Sequence, residues 1–98
     1  MNNIASVSAI TAQDVADFIR LDEVDTDNMN FLNNAIVVAK AFIKSWTGQD
    51  DLDQFQDFII VVLVLCQDMY DNRTLVIDSD NLNWIVESIL GLHQVNLL

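Results

Sequence analysis

The sequence predicts an all-α domain: a small bundle of about four helices with short loops and a C-terminal tail. Three observations carry this. Apolar residues return at steps of three and four in several stretches, most clearly over residues 29–46 and 55–70. Proline is absent and there are only two glycines, so little interrupts a helix once begun. Serine, threonine or aspartate stands just ahead of each apolar stretch, where a helix N-cap belongs.

The organising stretch is residues 55–70, FQDFIIVVLVLCQDMY. Phe55, Phe58, Ile59, Val62, Leu63, Cys66, Met69 and Tyr70 follow helical spacing, and Ile60, Val61, Val64 and Leu65 make its middle apolar all round. Such a helix must be covered on several sides. Its apolar run, residues 58–66, falls far short of the roughly 20 residues needed to cross a bilayer.

In chain order, residues 1–10 read as a flexible, extended N-terminal end. Thr11 caps a first helix over residues 12–21, with Asp14 in capping-box position and Ile10 placed to pack back across it. An acidic connector, residues 22–28, leads to a second helix over residues 27–46, capped by Asp25 or Thr26. Met29, Leu32, Ile36, Ala39, Ile43 and Trp46 form its seam, widened by Phe31, Ala35, Val38 and Phe42. Gly48 is its expected C-cap. Asp51 or Asp53 caps the third helix, which ends near Asp71 and Asn72. Residues 73–78 are a short strand or an ordered loop. Ser79 or Asp80 caps a fourth helix, whose stripe is Leu82, Ile85, Val86, Ile89 and Leu90, widened by Trp84 and ended or loosened by Gly91. Residues 92–98 are an apolar tail containing His93.

The 98 residues suit one domain. The single cysteine, Cys66, excludes an internal disulfide and fits a reducing compartment or a fold that needs no staple. The start of the chain lacks the basic region of a signal peptide. Fifteen acids stand against Arg20, Lys40, Lys44 and Arg73, a net charge of -11. This predicts solubility and disfavours binding nucleic acid through its phosphates, which requires a basic face.

Catalytic and metal chemistry find little support. A calcium loop started at Glu23 places Asn28 sixth and Asn34 twelfth, and one started at Asp25 places Asn30 and Ile36 there. Both lack the glycine and closing glutamate that such a loop requires. Cys66 lies on an apolar helix face and the sole histidine, His93, in the tail, so no nucleophile is paired with a base. Gly48 and Gly91 are isolated and form no phosphate loop. The expectation is a protein with no catalysis, cofactor or metal, built for interaction or assembly. The third helix is more apolar than three small neighbours can easily cover, and oligomerisation would be one way to cover it.

The order of segments carries a resemblance. A short helix ends in Ile19-Arg20-Leu21-Asp22, an acidic gap follows, and a long helix closes on Thr47-Gly48. A very apolar helix then ends on Tyr70-Asp71-Asn72-Arg73, and a last helix runs into a short tail. From residue 10 to the end, this resembles the head–tail connector (adaptor) proteins of long-tailed bacteriophages and prophages, also labelled DNA-packaging proteins. Where many members carry a proline before the third helix, this chain has Asp53-Gln54-Phe55.

The resemblance implies a structural subunit of a homo-oligomeric ring in the head–tail neck of the virion, assembled in the bacterial host cytoplasm. The ring would dock under the portal protein, extend the DNA exit channel and present a platform for a neck or tail-completion protein. DNA would pass through without sequence-specific binding, and no membrane would be involved. By position, Leu92, His93, Val95, Leu97 and Leu98 would contact the portal or a neighbour, and the connector of residues 73–80, with Arg73, would lie near a subunit contact or the channel. Two other readings compete: a small acidic helical adaptor or regulatory protein that binds one partner, and a small hydrolase or metal enzyme using the acids of residues 22–27.

Overall fold

The computed structural model describes residues 4–22 and 24–95. Among them are four α-helices: α1 (Ala12–Phe18), α2 (Thr26–Thr47), α3 (Phe58–Asn72) and α4 (Trp84–Leu92). Short 3-10 turns occupy Val7–Ala9, Leu52–Gln54 and Ser79–Asn81. No described residue is in a strand, so residues 73–78 form an irregular loop. The all-α bundle is the observed fold.

The apolar helix α3 sits at its centre. It packs most extensively on α2, and also on α4, α1 and the first 3-10 turn. Phe58, Val61, Val62, Leu63, Leu65, Cys66 and Met69 are buried along it. Its partners contribute Leu32, Ala35, Ile36, Ala39 and Ile43 from α2, Val15 and Ala16 from α1, and Val86 and Leu90 from α4. Ala35 and Ala39 are the small members of the α2 seam, and small side chains permit close approach of the two backbones. Phe31, Val38 and Phe42 flank that seam half-buried, as the pattern predicts, but so do Met29 and Trp46, which the pattern puts in the seam, while Ala35, expected on its flank, is buried.

The helix ends follow local rules at α1 and α2. Thr11 Oγ1 accepts from the Asp14 N–H at 3.1 Å, and the Asp14 carboxylate accepts from the Thr11 N–H at 2.9 Å, a complete capping box. Asp25 caps α2 by accepting from the Asn28 N–H at 2.8 Å. Helix α1 stops at Phe18, short of the expected Leu21, because Arg20 turns left-handed at φ 60°. The Leu21 N–H then reaches back to the Ala16 carbonyl at 3.0 Å, a Schellman closure. Helix α3 closes the same way: Arg73 has φ 53° and the Thr74 N–H bonds the Met69 carbonyl at 3.1 Å. A left-handed non-glycine residue costs about 1–2 kcal/mol, offset here by the helix-end carbonyls it satisfies. Gly48, at φ 76°, ends α2 with no such cost.

Other ends differ from expectation. The N-terminal segment is folded from Val7, which is buried in the 3-10 turn Val7–Ala9. The Ser8 N–H and hydroxyl both donate to Asp53, at 2.9 and 2.7 Å, and hold its carboxyl below the usual aspartate range. Asp53 is therefore engaged across the fold rather than capping α3. Asp51 caps the 3-10 turn Leu52–Gln54 by accepting from the Asp53 N–H. This turn precedes α3, which begins only at Phe58 and leaves Phe55 outside it. Likewise Asp78 caps the turn Ser79–Asn81, and Asn83, rather than Ser79 or Asp80, caps α4 through the Ile85 N–H at 2.9 Å. Gly91 lies inside α4, one residue from its end.

The uncovered apolar surface departs from expectation at α3, although the exposed Leu92 and Val95 fall in the apolar tail as expected. None of the large exposed hydrophobic residues among those described is on α3; they are Val37, Leu75, Val76, Trp84, Ile85, Leu92 and Val95.

Two measurements test this core. Leu63→Asp places an unpaired charge in it and is expected to cost about 4 kcal/mol or more, abolishing the helical circular dichroism signal at 25 °C. A helical, soluble Leu63→Asp protein would mean that the core lies elsewhere. Burial pushes the Cys66 thiol up from about 9 to about 12, slightly opposed by Lys40. The unfolded chain loses this proton near pH 9 while the folded chain retains it, so the group erodes stability as pH rises between those values. At pH 8 an aromatic disulfide reagent should modify native Cys66 only as fast as the fold opens, and at once in urea. Rapid native labelling would contradict the packing.

Candidate functional site

The residues singled out for partner binding are divided between the two ends of the bundle. Leu92, His93 and Val95 lie where the C-terminus of α4 meets the end of α2 and the beginning of α3. Arg73 lies beyond the other end of α3, a 15-residue helix about 22 Å long. Leu97 and Leu98 are outside the described residues.

At the first end, His93 is a latch. Its Nε2 lies 2.8 and 3.0 Å from the two carboxylate oxygens of Asp57. A carboxylate only accepts, so Nε2 carries the proton and donates. The ring stacks on Phe55 with centroids 3.9 Å apart and meets Phe58 edge-on at 5.1 Å. Asp57 occupies the N-cap position of α3 yet makes no side-chain cap bond. Backbone bonds from the Phe58 and Ile59 N–H groups to the carbonyls of Phe55 and Gln56 serve that turn instead.

The chain beyond His93 is fastened through its backbone. The His93 carbonyl accepts from Gln49 Nε2 at 2.8 Å, and the Val95 N–H donates to the Thr47 carbonyl at 2.7 Å. Thr47 is itself buried, its hydroxyl donating to the Ile43 carbonyl at 2.7 Å and accepting from the Gln49 N–H at 3.2 Å. The Val95 side chain lies over Gly48, where a Cβ would approach its own Cβ to 3.4 Å. His93 thus faces the domain, and Val95 rests over Gly48 with 37 % of its surface exposed. Of the described tail residues singled out, Leu92 is the one directed outward, 76 % exposed. Among the described residues no serine, threonine or cysteine side chain is hydrogen-bonded to His93.

At the other end, the Arg73 guanidinium lies over the Tyr70 ring, 4.1 Å from its centroid. Its Nη2 donates to Tyr70 Oη at 3.1 Å and its Nη1 to Asn28 Oδ1 at 3.4 Å. Tyr70 also meets Phe31 edge-on at 6.0 Å. This corner ties the start of α2 to the end of α3.

Sequence reasoning missed the outward face of α4. Trp84 is 74 % exposed, and Ile85 and Leu92 are exposed beside it. Steps of seven and eight residues put these three on one side, opposite the buried Val86 and Leu90. A signal was available: apolar residues at 84, 85, 86, 89, 90 and 92 span more than one face of a short helix. The loop between α3 and α4 adds exposed Leu75 and Val76. Between that loop and α3 runs a groove of about 560 Å³ with Leu65, Met69 and Leu82 in its lining and Asp68 and Asp78 among its polar groups.

The acidic connectors serve as caps and turns. Glu23 lies outside the described residues, and Asp25 is engaged as a helix cap. Among the described residues no group of three or more histidine, cysteine, aspartate or glutamate side chains is placed to hold a metal ion. Nor is any described helix long and apolar enough to cross a membrane.

The latch is measurable. His93→Ala removes the hydrogen bond and the stacking, an expected loss of about 1–2 kcal/mol, or about 5–10 °C in Tm by calorimetry. Deleting residues 92–98 should lower Tm further. An unchanged Tm in both variants would show that the tail contributes nothing to the fold.

No protein-family model, curated protein or solved structure matches this chain.

Proposed function

We propose that the chain is a structural subunit of a phage or prophage head–tail connector, a ring that docks under a portal protein and joins head to tail. The observation that carries this reading is the apolar face of α4. Trp84, Ile85 and Leu92 are exposed together on a protein of net charge -11, with Leu75 and Val76 exposed on the preceding loop. Burying a large apolar side chain is worth about 1.5–3 kcal/mol, so covering three supplies on the order of 5 kcal/mol before the cost of association. A face that meets a different patch on the next copy generates a ring when the rotation closes. The order of segments, with helices closing at Arg20, Gly48 and Arg73, supports the same reading through the resemblance it carries.

The charge is compatible with a channel lining. Among the described residues only His93 pairs with a carboxylate within 4 Å, so most of the acidic surface has no internal counterion. Such a wall repels DNA phosphates and would let the duplex pass without adhering. On this reading the partners are the portal protein, a neck or tail-completion protein and further copies of the chain, and no catalysis is involved.

A second reading, an acidic adaptor for one partner protein, is favoured by the groove beside α3, which could hold a single segment. The two readings differ in mass. Light scattering with negative-stain imaging is expected to find closed rings with a central hole. Trp84→Glu with Leu92→Glu should dissociate them without loss of helical circular dichroism, since both side chains are exposed. A monomer that portal rings also fail to capture would overturn the connector reading and leave the adaptor.

A further inference from the structure

The groove beside α3 combines three features. Its floor is apolar: Leu65 and Met69 are buried core residues, and Leu82 is half-buried at the far side. Val76, 69 % exposed, stands at its lip. Its charged lining is of one sign, with Asp68 and Asp78 present and no lysine or arginine.

The carboxylates have little to neutralise them. Burial, and then the charge of Asp71, hold the Asp68 carboxyl above the usual aspartate range. Asp78 is fixed in place by accepting from the Asp80 N–H at 3.1 Å and Asn81 Nδ2 at 2.8 Å. The adjacent cation, Arg73, is occupied over Tyr70 and against Asn28.

We infer that this groove docks a segment of a partner protein carrying one bulky apolar side chain flanked by lysine or arginine. The apolar group enters between Met69 and Leu82, and the cations meet Asp68 and Asp78. Charge complementarity selects this occupant over a second copy of the chain, which would bring another -11. The stretch of this chain with the right pattern, Lys40-Ala41-Phe42-Ile43-Lys44, is not available. Ile43 is fully buried, and Phe42 packs on its own core with its ring 5.5 Å from Trp46. The inference holds under either the connector or the adaptor reading, because it rests on the groove alone.

The test is a titration of the isotopically labelled full chain, followed by amide NMR. The probe is a short lysine–alanine peptide with one central tryptophan. Its controls are the same peptide with alanine for tryptophan, the same peptide with glutamate for lysine, and spermidine. The expected result is saturable shifts confined to residues 65–72 and 74–82, seen with the tryptophan–lysine peptide alone. Asp68→Asn with Asp78→Asn should weaken binding at least fivefold. Asp17→Asn with Asp22→Asn, the same charge change on exposed residues outside the groove, should alter it less than twofold. Equal weakening by both pairs, or equal shifts with spermidine, would mean diffuse charge attraction and overturn the proposal. So would shifts of the same amides with protein concentration alone, which would place a second copy in the groove. The mass measurement decides the connector reading independently of all these outcomes.

Discussion

Covering α3 is the constraint on which the rest of the structure depends. Seven of its residues are buried, and full burial of a large apolar side chain is worth about 1.5–3 kcal/mol. The helix therefore contributes on the order of 10 kcal/mol, comparable with the whole net stability of a typical domain. Helix α2 supplies the broadest cover and α1, α4 and the N-terminal turn fill the remaining sides. This explains why Val7 is drawn into the core rather than left at a loose end, and why α4 turns Val86 and Leu90 inward. Once α3 is satisfied, apolar residues beyond what its cover requires are left outside, and apart from Val37 on α2 and Val95 in the tail those described lie on α4 and the loop before it.

The polar chemistry is arranged around that packing. Aspartates distributed along a chain this acidic serve helix and turn ends locally: Asp25 caps α2, Asp14 completes the Thr11 capping box, and Asp51 and Asp78 cap 3-10 turns. Two others are taken by distant partners. Asp53 fastens the N-terminal segment through Ser8, and Asp57 fastens the C-terminal segment through His93. Both flank the approach to α3, so one short stretch holds the two described ends of the chain. A domain with no disulfide gains by such ties, because terminal segments otherwise fray.

The motifs that suggested a family have a plain physical content. Arg20, Gly48 and Arg73 are the residues of positive φ among those described, and each terminates a helix. They mark chain reversals, which is why their order and spacing follow the fold so closely. A reversal does not specify what the finished surface binds. That information resides in the outward face of α4 and in the groove beside α3, neither of which has a local motif. Of the residues proposed for partner contact, Leu92 is exposed, His93 and Val95 hold the tail to the domain, and Arg73 braces the opposite end.

The sequence by itself determined the helices, their order, the capping box at Thr11, the glycine close of α2 and the central place of α3. Each of these depends on periodicity or on groups within a few residues of one another, and such interactions are written locally. Tertiary structure decided the delayed start of α3, the folding back of both described ends and the location of the exposed apolar surface. The first two depend on pairs far apart in the chain, Ser8 with Asp53, Asp57 with His93 and Thr47 with Val95, and the third on how the helices pack. Periodicity shows that a helix has an apolar face but not how much of it the neighbours will cover. For α3 that cover proved nearly complete, and for α4 it stopped at Val86 and Leu90, because a short outer helix can turn only one side to the core.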